Sequence, residues 1–187
     1  MNIIWKNITI VWTLLSILSG NSPLHERYHT YKEIQSQLEE WNTEFGNNQN
    51  PSSAYPESGI IYHLEELGVS TEDGLPFWAV KLSYNADIEE DEPKFLFLGQ
   101  CHAEEIYGVE ITMELINKFL HPGPQYHLQN MQAILQSSEV WVVPTHNPEG
   151  LTVVHGDSVD GSWLQDISYR KNKRDVNLNG IFDFDNH

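Results

Sequence analysis

His102 and Glu105 stand three residues apart in Lys94-Phe95-Leu96-Phe97-Leu98-Gly99-Gln100-Cys101-His102-Ala103-Glu104-Glu105, where an apolar run gives way to a helical pattern. Neutral imidazole and carboxylate are both zinc ligands. Side chains at i and i+3 converge on one ion when a helical turn carries them, and an apolar strand behind them fixes where that ion sits. The same spacing recurs at His63 and Glu66 and at His146 and Glu149. Surroundings must therefore choose among the three. His63 and Glu66 lie in an extended stretch that sends positions three apart to opposite faces. Pro148 separates His146 from Glu149 and pushes the residue before it to extended geometry, which opposes a helical pair. Only His102 and Glu105 combine a strand end with a following helix; the competing reading is a solvated polar contact in a first helical turn.

The elements that position this pair follow from periodicity. Tyr28, Tyr31, Ile34, Leu38, Trp41 and Phe45 recur at three and four residues, which predicts an amphipathic helix from Tyr28 to Phe45. Asn, Pro, Ser and Gly collect between Asn47 and Ser58 and mark a loop. Two β segments are expected at Ile60 to Val69 and Phe77 to Leu82, joined by the turn Ser70-Thr71-Glu72-Asp73-Gly74. Asp87 to Glu92 is an acidic solvated connection. The continuous apolar runs Phe95 to Leu98 and Val140 to Pro144 predict strands covered on both faces. Helices are expected from Glu105 to Leu120, ended by His121-Pro122-Gly123-Pro124, and from about Tyr126 to Leu135. Together these define an α/β fold class, with a mostly parallel or mixed sheet flanked by helices and His102 at the carboxyl end of a strand, where such folds bind ligands. From Thr145 to His187 little periodicity remains, which predicts a long loop over that face.

At 187 residues, with 40% hydrophobic residues and six tryptophans, the chain can bury one domain core. A formal net charge of −17 with ten Lys and Arg makes nucleic acid and anionic membranes poor partners, since phosphate binding needs clustered cations. Residues 1–20 place Lys6 before an apolar run, Ile8 to Leu18, that ends at Ser19 and Gly20. That is the layout of a secretory signal peptide, so the domain spans 21–187 and export, to the medium or a periplasm, is expected with no stable membrane insertion after cleavage. An uncleaved anchor is the alternative, although the run is short for a span. The single cysteine, Cys101, rules out an internal disulfide and is expected to be packed.

Three segments in order resemble the front half of the zinc carboxypeptidases, the carboxypeptidase A-like metallopeptidases. Gly99-Gln100-Cys101-His102-Ala103-Glu104-Glu105 is similar to that family's Gly-x-x-His-Ala-Arg-Glu, with Glu104 in place of arginine. Val143-Pro144-Thr145-His146-Asn147-Pro148-Glu149-Gly150 resembles its Asn-Pro-Asp-Gly element, read here as a structural turn, and Tyr169-Arg170-Lys171-Asn172-Lys173 resembles its Trp-Arg-Lys-Asn-Arg run. The resemblance covers roughly Tyr28 to Asn172. It implies a peptidase that removes C-terminal residues, with His102 and Glu105 as two zinc ligands, Arg170 stabilising the oxyanion, and a peptide or protein with a free C-terminus as substrate. Without the resemblance, Arg170 reads as one of a solvated basic run.

The family's third zinc-ligand histidine, its Asn-Arg carboxylate clamp, its pocket tyrosine and its general-base glutamate lie farther along than this chain runs, and His187 is too near Arg170 to serve. The expectation is therefore an N-terminal portion without the third ligand or the general base. Alternatives are a zinc-dependent deacylase of N-acyl amino acids and a non-catalytic secreted binding module. Near the end, Asp175, Asn177, Asn179 and Asp183 with Gly180 match positions 1, 3, 5, 9 and 6 of a calcium loop, with Asn186 where the bidentate glutamate belongs. An ion-free Asn/Asp/Gly-rich turn reads equally well there.

Overall fold

The computed structural model describes residues 24, 26–48, 52–159, 162–176, 178 and 182. Helix α1 runs Tyr31–Phe45 and starts at a capping box, in which the Thr30 hydroxyl accepts from the Glu33 amide while the Glu33 carboxylate accepts from the Thr30 amide. Its buried stripe is Tyr31, Ile34, Leu38, Trp41 and Phe45, the periodicity read from the sequence. Strands β1 (Tyr62–Val69) and β2 (Pro76–Leu82) pair antiparallel through the expected turn, with a bulge between Glu66 and Gly68. Strand β3 (Lys94–Gln100) leads into α2 (Ile106–Leu120), and α3 (Gln125–Leu135) precedes β4 (Glu139–Thr145).

The four strands form one mixed sheet, as the fold class read from the sequence allows, in the order β1-β2-β4-β3. Its parallel component among the described residues is the β3–β4 pair, because the hairpin and the β2–β4 contact are antiparallel. Side chains alternate across the sheet. Val80, Leu82, Val140 and Val142 face the core they share with α1 and α2, whereas Lys81, Glu139 and Trp141 occupy intervening positions.

Two expectations need correcting. Strand β3 is not covered on both faces, since Phe95, Leu96, Phe97 and Leu98 are 53, 62, 43 and 57% exposed. It is an edge strand among the described residues, and a continuous apolar run cannot tell an edge from a centre. The segment after β4 is also not one long loop. It holds α4 (Pro148–His155) and a hairpin of β5 (Asp157–Val159) with β6 (Ser162–Leu164). Asn147 caps α4, its side-chain oxygen accepting from the Gly150 amide, and Pro148 occupies the first turn, where a missing N–H costs no intrahelical bond. Asn147-Pro148-Glu149-Gly150 is thus a helix start and not a free-standing turn.

Close packing sets the site end of the sheet. A Cβ built on Gly99 would lie 2.1 Å from the Pro144 carbonyl oxygen, and one built on Gly108 would lie 2.8 Å from the Gln100 amide nitrogen. The backbones of β3, β4 and α2 therefore approach one another where only glycine fits.

Candidate metal-binding and catalytic rim

Beyond β3 the chain makes a tight turn before α2 starts. The Glu105 amide donates to the His102 carbonyl at 3.0 Å, and Glu105 takes the N-cap position of α2 without capping it through its side chain. Its carboxylate turns back on the histidine: Oε1 lies 2.9 Å from His102 Nδ1, and Oε2 accepts from the His102 amide at 3.3 Å. The expected convergence occurs, but through a turn closed between residues 102 and 105 and not within a helical turn. Both side chains are accessible, at 41 and 48% exposure. The His102 ring, then its backbone N–H, and the charge of Arg170 hold the Glu105 carboxyl below the usual carboxylate range. An ionised carboxylate beside an imidazole nitrogen is a donor pair that suits zinc. Among the described residues no group of three or more His, Cys, Asp or Glu side chains is placed to hold a metal, so the pair supplies two donors.

Arg170 arrives from a segment remote in sequence. Its Nη2 lies 3.1 Å from His102 Nε2, its Nη1 donates to Glu104 Oε1 at 2.6 Å, and Glu105 Oε1 is 3.7 Å away. Buried polar groups hold this geometry. Ala103 donates its amide to the Arg170 carbonyl at 3.2 Å, and Asn147 Nδ2 donates to the Lys171 carbonyl at 3.2 Å. Gln100, fully buried, donates to the Ala103 carbonyl and accepts from the Thr145 hydroxyl, which itself accepts from the Asn147 amide. The Tyr169 hydroxyl, pushed up to about 12 by burial, remains a donor and reaches the Asn172 carbonyl at 2.8 Å. Arg170 is thus fixed from both flanks by groups whose hydrogen bonds are shielded from water.

The other two histidine–glutamate spacings form no comparable pair. His63 and Glu66 lie along β1, as their extended pattern predicts. Glu149 is buried and turns away to accept the Glu72 and Asp73 amides at 2.9 and 2.6 Å, so it anchors the β1–β2 turn. Cys101 is exposed and not packed, because it lies one residue beyond β3 on the cavity wall beside His102. Of the proposed calcium positions, Asp175 is half-buried; Asn177, Asn179 and Asp183 lie outside the described residues, as does the leader at residues 1–20.

Sequence reasoning gave no role to Glu104, Gln100 or Thr145. The departure from the family's arginine at position 104 was the signal for Glu104, and a glutamine ending an apolar strand was the signal for Gln100.

The mixed sheet flanked by helices places an accessible histidine–carboxylate pair just past the carboxyl end of β3. The family pattern described as zinc carboxypeptidase matches residues 38–187. The chain belongs to the zinc carboxypeptidase family. It is 28% identical over 147 residues to a zinc carboxypeptidase of Saccharothrix mutabilis subsp. capreolus, covering 79% of this chain and 29% of that protein. It is 26% identical over 126 residues to carboxypeptidase D of Mus musculus, covering 65% of this chain and 8% of that protein. The chain therefore spans less than a third of the length of these curated relatives. Among solved structures, carboxypeptidase A from Helicoverpa armigera aligns with a TM-score of 0.62 at 18% identity, covering 95% of this chain and 38% of that one. Bovine thrombin-activatable fibrinolysis inhibitor, solved with a tick carboxypeptidase inhibitor, aligns with a TM-score of 0.58 at 16% identity, covering 84 and 41%. These likenesses agree with the mixed sheet flanked by helices. No helix among the described residues is long and apolar enough to cross a membrane.

Proposed function

We propose that this chain carries part of the active site of a zinc-dependent carboxypeptidase that releases C-terminal residues from peptides, with His102 and Glu105 as two zinc ligands and Arg170 as the oxyanion partner. The observation that carries this reading is the meeting of His102, Glu105 and Arg170 within hydrogen-bonding or ion-pair distance, although Arg170 lies 68 residues from His102 in sequence. When bound, zinc supplies a Lewis acid and lowers the pKa of a coordinated water. Glu105 stays ionised beside His102 and offers negative charge to the ion. Arg170, held through its backbone by Ala103, presents a fixed cation where negative charge develops during carbonyl attack. The third ligand and the general base come from outside the described residues. Export directed by residues 1–20 belongs to the same proposal, and so does calcium at the loop beginning at Asp175.

Zinc uptake tests the reading. The wild-type chain is expected to take up zinc weakly in equilibrium dialysis, through the two donors present, and His102→Ala or Glu105→Gln should weaken binding at least ~10-fold. Uptake unchanged in both variants would overturn the assignment. N-terminal sequencing of exported protein checks the leader, and protection of the 175–186 segment from proteolysis by added calcium checks the calcium loop.

A further inference from the structure

The chain carries ten Lys and Arg against 27 Asp and Glu, yet Arg170, Lys171, Lys173 and Arg174 fall within five consecutive residues. All four line one cavity of about 960 Å³ that also exposes His102. Their pairing states differ. Arg170 is bound to Glu104, and Lys173, with a side chain only 10% exposed, is clamped by both oxygens of Asp73 at 2.7 and 2.8 Å. Lys171 and Arg174 are exposed and make no ion pair or side-chain hydrogen bond among the described residues. Among the described residues Glu72 is the one acidic residue on the same wall, leaving two unpaired cations against one carboxylate.

We propose that this rim selects acidic peptides: substrates with Asp or Glu side chains close to the bond presented at His102, received by Lys171 and Arg174. The inference rests on the carboxypeptidase reading for the location of that bond. A protein with net charge −17 repels acidic peptides at long range, but the Debye length at physiological salt is about 8 Å, so a peptide inside the cavity responds to the nearest charges. There the unpaired cations, Lys171 and Arg174, outnumber the Glu72 carboxylate. The backbone that carries Lys171 is also fixed, since its carbonyl is held by Asn147 and the Asn172 carbonyl by Tyr169. Two accessible pairs of this kind change affinity by about 3- to 30-fold at low salt and by much less when screened.

The test uses the intact chain and two fluorescent peptides of equal length, one with Glu-Glu and one with Gln-Gln before the C-terminal residue. Fluorescence anisotropy is recorded at about 50 and about 500 mM salt. The acidic peptide is expected to bind about 10-fold tighter at the lower salt, and the preference should largely vanish at the higher salt. In the double variant Lys171→Gln, Arg174→Gln it should vanish at both; the remote Lys32→Gln should retain it. Equal affinities, absence of binding by both peptides, a preference that survives the double variant, or tighter capture of a single-stranded oligonucleotide would each overturn the proposal. Because the wild-type comparison needs no mutation, a misfolded variant cannot mask the result. Zinc uptake without acidic preference overturns this inference and leaves the carboxypeptidase reading intact. Acidic preference without zinc uptake supports the rim and removes that reading.

Discussion

Glu139 and Glu105 lie at opposite ends of the parallel β3–β4 pair, and both are held as carboxylates below their ordinary pKa by different means. Glu139 opens β4 and is fully buried. Lys81 Nζ lies 2.8 Å from it and Lys94 Nζ 3.3 Å, and Trp141 Nε1 donates to it at 2.9 Å. Burial alone would raise its pKa, but bonding to Lys81, then Trp141 and Lys94, more than reverses this and holds it at about 2. Lys81 in turn donates to the Ile88 carbonyl, tying the acidic connection onto the sheet. Glu105 stands nearly half exposed, with an imidazole as its nearest partner. A buried carboxylate must have its charge answered by the protein itself, whereas an exposed one beside an imidazole can exchange its partner for an ion.

The sharpest break of this contrast is Glu139→Ala, which strands Lys81 in the interior. We expect a loss of about 3–5 kcal/mol in urea unfolding. Acid should act on the same group. A carboxylate whose folded pKa is depressed contributes stability that is present above its unfolded value and lost as pH falls towards the folded one. The unfolding midpoint should therefore drop between about pH 4.5 and pH 2, with a shallower drop in Glu139→Gln; identical profiles would remove Glu139 as the cause. Gly108→Ala should come next. The added methyl presses on the Gln100 amide, at about 1–3 kcal/mol, while the better helix former returns up to ~1 kcal/mol. Zinc uptake at His102 and Glu105 should fall with it, and unchanged uptake would show that α2 does not set the pair's position. Glu105→Gln should have the smallest effect on metal-free stability, within about 0.5 kcal/mol, as for most exposed positions. A large loss would make it structural, like Glu139.

The periodic elements were legible in the sequence because burial imposes a period: the stripe of α1 and the apolar runs of β3 and β4 lie where the pattern places them. Helix α4 was hidden because its eight residues are too few for a repeat, although Asn147 before Pro148 carries the signal of a helix start. The exposure of β3 was hidden for another reason, since apolar content says that a strand is to be covered but not which neighbour covers it. His102, Glu105 and Arg170 were legible only jointly, because the contact between the 102–105 turn and the 169–172 segment depends on the main-chain bond from the Ala103 amide to the Arg170 carbonyl. Such bonds leave little trace in residue identity.

The edge of β3 bears on how these molecules meet one another in solution. Among the described residues one edge of β3 is unpaired, an edge with apolar side chains on both faces is a template for another strand, and Lys94 is the only charge along it. Colloidal stability then falls to the formal charge of −17 carried by the chain as a whole. Salt shortens the reach of that repulsion to about 3 Å at 1 M while leaving the apolar edge as adhesive as before. Raising ionic strength is therefore expected to promote self-association through this edge without any change in fold, and light scattering at low and high salt would check it.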